Sequence, residues 1–441
     1  MAEIDAFERR VAGTLQWYAD EVEPTVDASA VAHRAALEHP RRPAGAGFGA
    51  WRLAAVPQAG WVLLLGATLL AALAGGLLVV GSQRQTRPPA VVPPALATFE
   101  CPPGTDPDAP GPGDLARPAL GGSLHTAFDR RAGKVVVLAV PGDAGTAETW
   151  TFDVCTNRWT PMQPVQEPDE AGRLVYDADS DLIVMLAESR VWAYDVDANT
   201  WIAKSATPSS LQHITYSLAY DTTTGLVVVE ASTSDRDTDP SELWTYDVEA
   251  DPGSWTVAPA AAWTRIAQRG AIPDVGRATL SLLVHDPSVD RLVSLFLEGG
   301  PQTQVRLFDF GTTTWSTSVS VAPDVSIGWG PEGYEAAFDE VTGRSVVIDG
   351  GRVVAFDASK DEWEILADTA SAPASPYGPS GPPGPQGPSV VYDSANRRLV
   401  VCGGRYYRTG SIKSDWVRTD DVWAFDTRTR TWTQLLARSG P

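Results

Sequence analysis

The chain has 441 residues, 43% of them hydrophobic, and 16 tryptophans, enough for one large repeat domain or two or three ordinary ones. A net charge of −21 excludes a general nucleic-acid binder, which needs a basic footprint. Three cysteines without metal-ligand spacing exclude both a disulfide-dense scaffold and a zinc module.

Residues 1–52 are polar. Within 4–22, Phe7, Val11, Leu15 and Tyr18 recur at helical spacing, which predicts a short amphipathic helix that a cytoplasmic regulator can meet. No charge occurs between Arg52 and Arg84, and residues 61–80 are almost purely apolar, about 30 Å as a helix and the thickness of a hydrocarbon core. The pattern predicts one transmembrane helix within 53–82. Arg41, Arg42 and Arg52 before it against Arg84 and Arg87 after it orient the N-terminus to the cytoplasm. The remainder then lies outside a bacterial-type plasma membrane. Prolines across 83–120 predict an extended stalk. Cys101 and Cys155 are candidates for a disulfide there, and Cys402 reads as a small buried hydrophobe.

From Leu124 one unit repeats. An apolar strand ends in aromatic-Asp or a near relative: Phe128-Asp129, Tyr176-Asp177, Tyr220-Asp221, His285-Asp286, Phe338-Asp339 and Tyr392-Asp393. A tight turn and a β-branched strand follow, then a variable loop, then a second aromatic-Asp with Trp six residues later. That spacing occurs at Phe152-Asp153…Trp159, Tyr194-Asp195…Trp201, Phe308-Asp309…Trp315, Phe356-Asp357…Trp363 and Phe425-Asp426…Trp432. Tyr246-Asp247…Trp255 reads as a sixth copy with two extra residues. Four short strands per repeat, without helical periodicity, predict a radial β architecture.

These residues resemble the kelch family of β-propellers. The resemblance rests on Gly299-Gly300, Gly350-Gly351 and Gly403-Gly404 after strand two, followed by aromatic-Asp and Trp. The first three repeats depart from it, with Val140-Pro141, Ala187-Glu188 and Ala231-Ser232 in place of the glycines. It implies an all-β domain over 121–437, a six-bladed β-propeller of four-stranded antiparallel blades, preceded by the two helices above. Some propellers of this kind are enzymes, copper oxidases among them, but none of their functional residues maps onto positions here.

The repeated residues read as structural. The strand-three Asp suits backbone N–H groups of the following turn, and the Trp suits burial between blades. Asp177-Ala-Asp-Ser-Asp181 imitates the start of a calcium loop but has Leu182 where the turn needs Gly. His125, His213 and His285 accompany no nucleophile pattern, so neither catalysis nor a metal or cofactor is expected.

Variable loops collect on one face of such a frame, which is where binding is expected. The longest carries Arg405, Tyr406, Tyr407, Arg408, Lys413, Trp416 and Arg418, cations and aromatics on an acidic domain. Trp263, with Arg265 and Arg269, and Trp329 are expected on neighbouring loops. Such residues suit a glycan or an acidic peptide. The function expected is non-enzymatic binding of a protein or glycan outside the membrane. The alternatives are a transmembrane sensor, of anti-sigma type, and a carbohydrate-active enzyme working on the loop face.

Overall fold

The described residues all fall within one compact unit, Pro88–Pro441. The computed structural model describes residues 99–439, apart from 114–115, 119–123, 140–146, 213–215, 232–241, 252, 254–261, 271, 273–280, 297–303, 319, 321–335, 350–351, 369–387 and 409–414. The expected helices at 4–22 and 53–82 lie outside the described residues. Among the described residues no helix is long and apolar enough to cross a membrane.

Those residues form six four-stranded antiparallel sheets. Blade one is β1 (Leu124–Asp129), β2 (Lys134–Ala139), β3 (Glu148–Asp153) and β4 (Arg158–Pro161). Blade two is β5 (Gly172–Asp177), β6 (Leu182–Ala187), β7 (Arg190–Asp195) and β8 (Thr200–Ala206). Blade three is β9 (Tyr216–Asp221), β10 (Leu226–Ala231), β11 (Glu242–Tyr246) and β12 (Trp263–Arg265). Blade four is β13 (Ser281–Asp286), β14 (Arg291–Phe296), β15 (Gln304–Asp309) and β16 (Thr314–Thr317). Blade five is β17 (Ala336–Asp339), β18 (Arg344–Asp349), β19 (Arg352–Asp357) and β20 (Glu362–Ala367). Blade six is β21 (Ser389–Asp393), β22 (Arg398–Cys402), β25 (Val422–Asp426) and β26 (Thr431–Leu436), with a separate ribbon of β23 (Arg405–Arg408) and β24 (Asp415–Arg418) between its middle strands. Each inner strand meets the next, and β21 meets β1, so the ring closes.

The turn chemistry explains why the strands stop where they do. Asp153 Oδ1 accepts the Cys155 and Thr156 amides at 3.0 and 2.9 Å, and Asp426 Oδ1 does the same for Arg428 and Thr429 at 2.8 and 2.9 Å. The strand-one aspartates are used alike, as Asp129 Oδ1 is by the Arg131 and Ala132 amides. Four residues after these aspartates the backbone turns left-handed: Gly133, Asp181, Gly225, Asp290, Gly343 and Arg397 in the first turns, Asn157, Asn199, Thr313, Asp361 and Arg430 in the second. Asp177 and Asp181 belong to this scheme. Asp177 Oδ1 caps its own turn, and Asp181 takes the Tyr176 hydroxyl at 2.8 Å and Arg131 at 2.9 Å.

Alternation along each strand sends its two faces to two neighbours. Phe425 packs with blade five and Ala424 with blade one. Every blade interface therefore carries its own apolar core. The strand-four Trp always faces the preceding blade: Trp159 toward blade six, Trp201 toward blade one, Trp315 toward blade three.

Blade three corrects the sequence reading. Its strand-four Trp is Trp263, paired with Tyr246 as Trp159 is with Phe152. The connection is 247–262 instead of a tight turn, and Trp255 lies outside the described residues. Asp251 supports the insertion, accepting the Tyr246 hydroxyl at 2.7 Å and the Ser205 amide at 3.0 Å.

The described end of the Pro-rich segment lies on the propeller. Cys101 and Cys155 are joined, with Cα atoms 5.4 Å apart. Asn157 Nδ2 donates to Pro107 O at 2.7 Å and Ala109 O at 2.8 Å, and the Gly111 amide donates to Leu435 O at 2.7 Å. A Cβ at Gly111 would stand 1.9 Å from Asn157 O, so only glycine fits this crossing.

Candidate functional site

The blade-six ribbon begins where the blade sheet ends. Cys402 pairs with Val422, and then Gly403 and Gly404 both adopt positive φ, 62° and 102°. Two consecutive positive-φ residues lead the chain from the blade sheet into the separate ribbon, a geometry glycine adopts without strain. The base is tied by Gly403 N–H to Asp421 O and Thr419 N–H to Gly404 O, both 2.9 Å. Beneath it Asp421 is buried and accepts the Thr419 hydroxyl and the Trp423 indole N–H, the latter at 2.8 Å. Burial pushes the Asp421 carboxyl above its usual range, partly offset by those two donors.

The ribbon register is Arg405↔Arg418, Tyr406↔Val417, Tyr407↔Trp416 and Arg408↔Asp415. Opposed residues share a face and faces alternate. Positions 405, 407, 416 and 418 therefore lie on one side, two arginines and two aromatics, while 406, 408, 415 and 417 lie on the other. Arg418 is exposed. Six of the seven residues singled out in this loop are positions of the ribbon, divided between its two sides; Lys413 lies outside the described residues, as does Trp329.

Trp263 does not join them. It is 6% exposed, its ring 4.8 Å from Tyr246 and 6.4 Å from Trp244. Arg265 is spent on Glu242 at 2.6 Å. The Arg269 amide donates to Thr313 O at 2.8 Å, along the outer edge of blade four.

A cavity of ≈270 Å³ runs between the inner strands. At its tight-turn end stand the six residues that precede the strand-one aspartates: Phe128, Tyr176, Tyr220, His285, Phe338 and Tyr392. Above that girdle Arg130 of blade one meets Glu340 of blade five at 2.9 Å, spanning blade six. Burial raises the Glu340 carboxyl, and Arg130 partly opposes it. Arg173 lines the same cavity nearer the loop side. There His125 is held to about 4, first by burial and then by Arg173.

Asp221, His285 and Asp290 bring three potential ligand atoms within 4.8 Å of one another. His285 Nδ1 accepts the Thr222 amide at 3.3 Å, and Nε2 stands 3.1 Å from Asp221 Oδ1 and 3.7 Å from Asp290 Oδ1. Burial pushes the ring below the usual imidazole range, and those acids partly oppose it. His285 occupies the position that Tyr220 fills one blade earlier, where the Tyr220 hydroxyl accepts the Asp179 amide at 3.1 Å. It is an interblade link.

Sequence reasoning missed one feature. Glu230 on β10 and Arg306 on β15 form a buried pair between blades three and four at 2.6 Å, each side chain 2% exposed. Ser294 Oγ donates to Glu230 at 2.6 Å, and the Arg306 guanidinium lies 4.6 Å from the Trp315 ring. One charged residue in an otherwise β-branched strand, Val-Val-Val-Glu230, was the available signal.

Residues 393–435, most of blade six, match the family model described as Kelch motif. A comparison with curated proteins finds no match. Solved structures of similar form include TolB from Acinetobacter baumannii, at 11% identity over 55% of this chain and 53% of that one, TM-score 0.36. The match spans about half of the TolB chain. An auxiliary nutrient binding protein from Bacteroides thetaiotaomicron is similar at 11% identity over 69% and 72%, TM-score 0.43. A protein of unknown function from the same organism is similar at 12% over 67% and 70%, TM-score 0.45.

Proposed function

We propose that this chain, a kelch-type β-propeller, is a non-enzymatic interaction module whose blade-six ribbon binds an anionic protein or glycan. One observation carries the reading: the ribbon register sets Arg405, Tyr407, Trp416 and Arg418 on one side of an element that leaves the blade at Gly403-Gly404. Aromatic faces offer contact area at low conformational cost, and arginines beside them supply paired donors for carboxylates. On a chain of net charge −21 this cluster is a local reversal of sign, which favours an acidic partner.

The reading includes a place: outside a bacterial-type plasma membrane, anchored by residues 61–80, with residues 1–52 inside. The Cys101–Cys155 bridge supports it, because such bridges persist in oxidising compartments. Fractionation and protease protection of cells expressing the full chain test it. Cleavage within 121–437 by protease added to intact cells supports the placement, and protection there overturns it.

Binding is tested with the full chain in nanodiscs against an array of acidic glycans and acidic peptides. Tyr407→Ala and Trp416→Ala each lower affinity at least tenfold for whichever probe binds. Turnover of any arrayed glycan overturns the non-enzymatic reading.

A further inference from the structure

We infer that residues 99–113 and 116–118 lock the seam between blades six and one, and that Arg117 is the residue that positions the base of the blade-six ribbon. The functional consequence rests on the proposed role of that ribbon; the lock itself does not.

The seam differs from the other five. Each blade takes its four strands from one consecutive stretch, so a chain connection crosses every interface except that between blade six and blade one. Apolar contact holds the two faces there, together with the Thr126–Ser389 hydroxyl pair and the Asn396 and Arg398 side chains, which donate to Val154 O at 3.3 and 3.2 Å. The strap adds bonds to both sides. Cys101 and Asn157 fix it to blade one. Gly111 N–H to Leu435 O and Arg398 to Asp108 at 2.6 Å fix it to blade six. Phe99 and Cys101 pack against the seam's own core.

Arg117 carries the strap to the ribbon. Its side chain is 5% exposed and donates to Ala437 O and to Gly113 O, the latter at 3.1 Å. It also stands 3.5 Å from Asp420 Oδ2. Asp420 accepts the Ser439 amide at 2.8 Å and the Ser439 hydroxyl. The preceding residue, Thr419, closes the ribbon onto Gly404. Strap, ribbon exit and C-terminal tail therefore converge on one carboxylate. A partner that shifts the ribbon changes the strap by the same free energy with which the strap steadies the ribbon, since coupling is reciprocal.

Hydrogen exchange of the full chain in nanodiscs tests this without any ligand. In Arg117→Ala, amides of 403–421 exchange at least tenfold faster while those of blade two, 172–206, stay unchanged. Asp420→Asn, which keeps an acceptor for Ser439, gives the same local increase. Arg265→Ala, which breaks an exposed pair on blade three, leaves 403–421 unchanged. Unaltered exchange at 403–421 in both Arg117→Ala and Asp420→Asn overturns the inference, and so does a uniform rise across all six blades. A ribbon that binds nothing on the arrays refutes the binding role and leaves this result intact.

Discussion

Tyr246 lies against Trp263 with ring centroids 4.8 Å apart, the contact that Tyr194 makes with Trp201 in blade two. The pair identifies Trp263 as a blade residue. Truncation leaves a cavity between blades two and three, so Trp263→Ala costs about 3–5 kcal/mol. Denaturant unfolding measures it; a loss below about 1 kcal/mol, with binding impaired instead, would return Trp263 to the loop face.

The Glu230–Arg306 pair predicts an asymmetric mutant cycle. Glu230→Leu leaves the Arg306 charge buried without its carboxylate and destabilises by about 3–5 kcal/mol. Glu230→Leu with Arg306→Met replaces both charges by apolar groups and recovers most of that loss. Equal destabilisation of the single and double variants would mean that the pair stabilises the interface in its own right.

Two buried groups pull pH dependence in opposite directions. Burial is the main cause that raises Asp129 to about 6, so the folded state holds its proton more tightly than the unfolded chain. That contribution is full below the ordinary carboxylate value and is lost as pH rises toward 6. His125, held near 4 by burial, is neutral when folded while the unfolded chain protonates below about 6.5. Its contribution to stability is present above that value and is lost as pH falls toward 4. Relative to the wild type, Asp129→Asn therefore gains stability as pH rises from 4 to 6, and His125→Gln gains as pH falls over the same range. Melting curves across pH 4–7 check both signs, and parallel curves would refute both assignments.

Removing the Cys101–Cys155 bridge frees a 54-residue separation in the unfolded chain and loosens the strap in the folded one. Cys101→Ser with Cys155→Ser costs about 2–4 kcal/mol. Chemical denaturation of the full chain reads the loss. An unchanged midpoint would mean that the strap's hydrogen bonds suffice.

The frame was legible because each blade repeats a physical solution at fixed spacing: Asp capping a turn, a left-handed residue four later, Trp returning to the core. Trp263 escaped because an insertion moved it seventeen positions past Tyr246 and left Trp255 nearer the usual spacing. A one-residue label of aromatic type does not distinguish a buried return strand from a loop; register does. The strap was unreadable for a different reason. Proline content predicts local extension of 83–120, whereas the partners of Pro107, Asp108 and Gly111 lie up to 324 positions away, on Asn157, Arg398 and Leu435. Glu230 and Arg306 are likewise a tertiary pair, seventy-six residues apart.

One side of the ribbon, positions 405, 407, 416 and 418, is the proposed binding face. Binding of the full chain in nanodiscs to polygalacturonate and to polyglutamate, titrated at rising salt, tests it most directly. Salt-sensitive binding to at least one of them is expected, weakened tenfold or more by Arg405→Ala with Arg418→Ala and unaffected by Arg265→Ala. Binding that survives the ribbon substitutions unchanged, or no binding to either polymer at low salt, would contradict it.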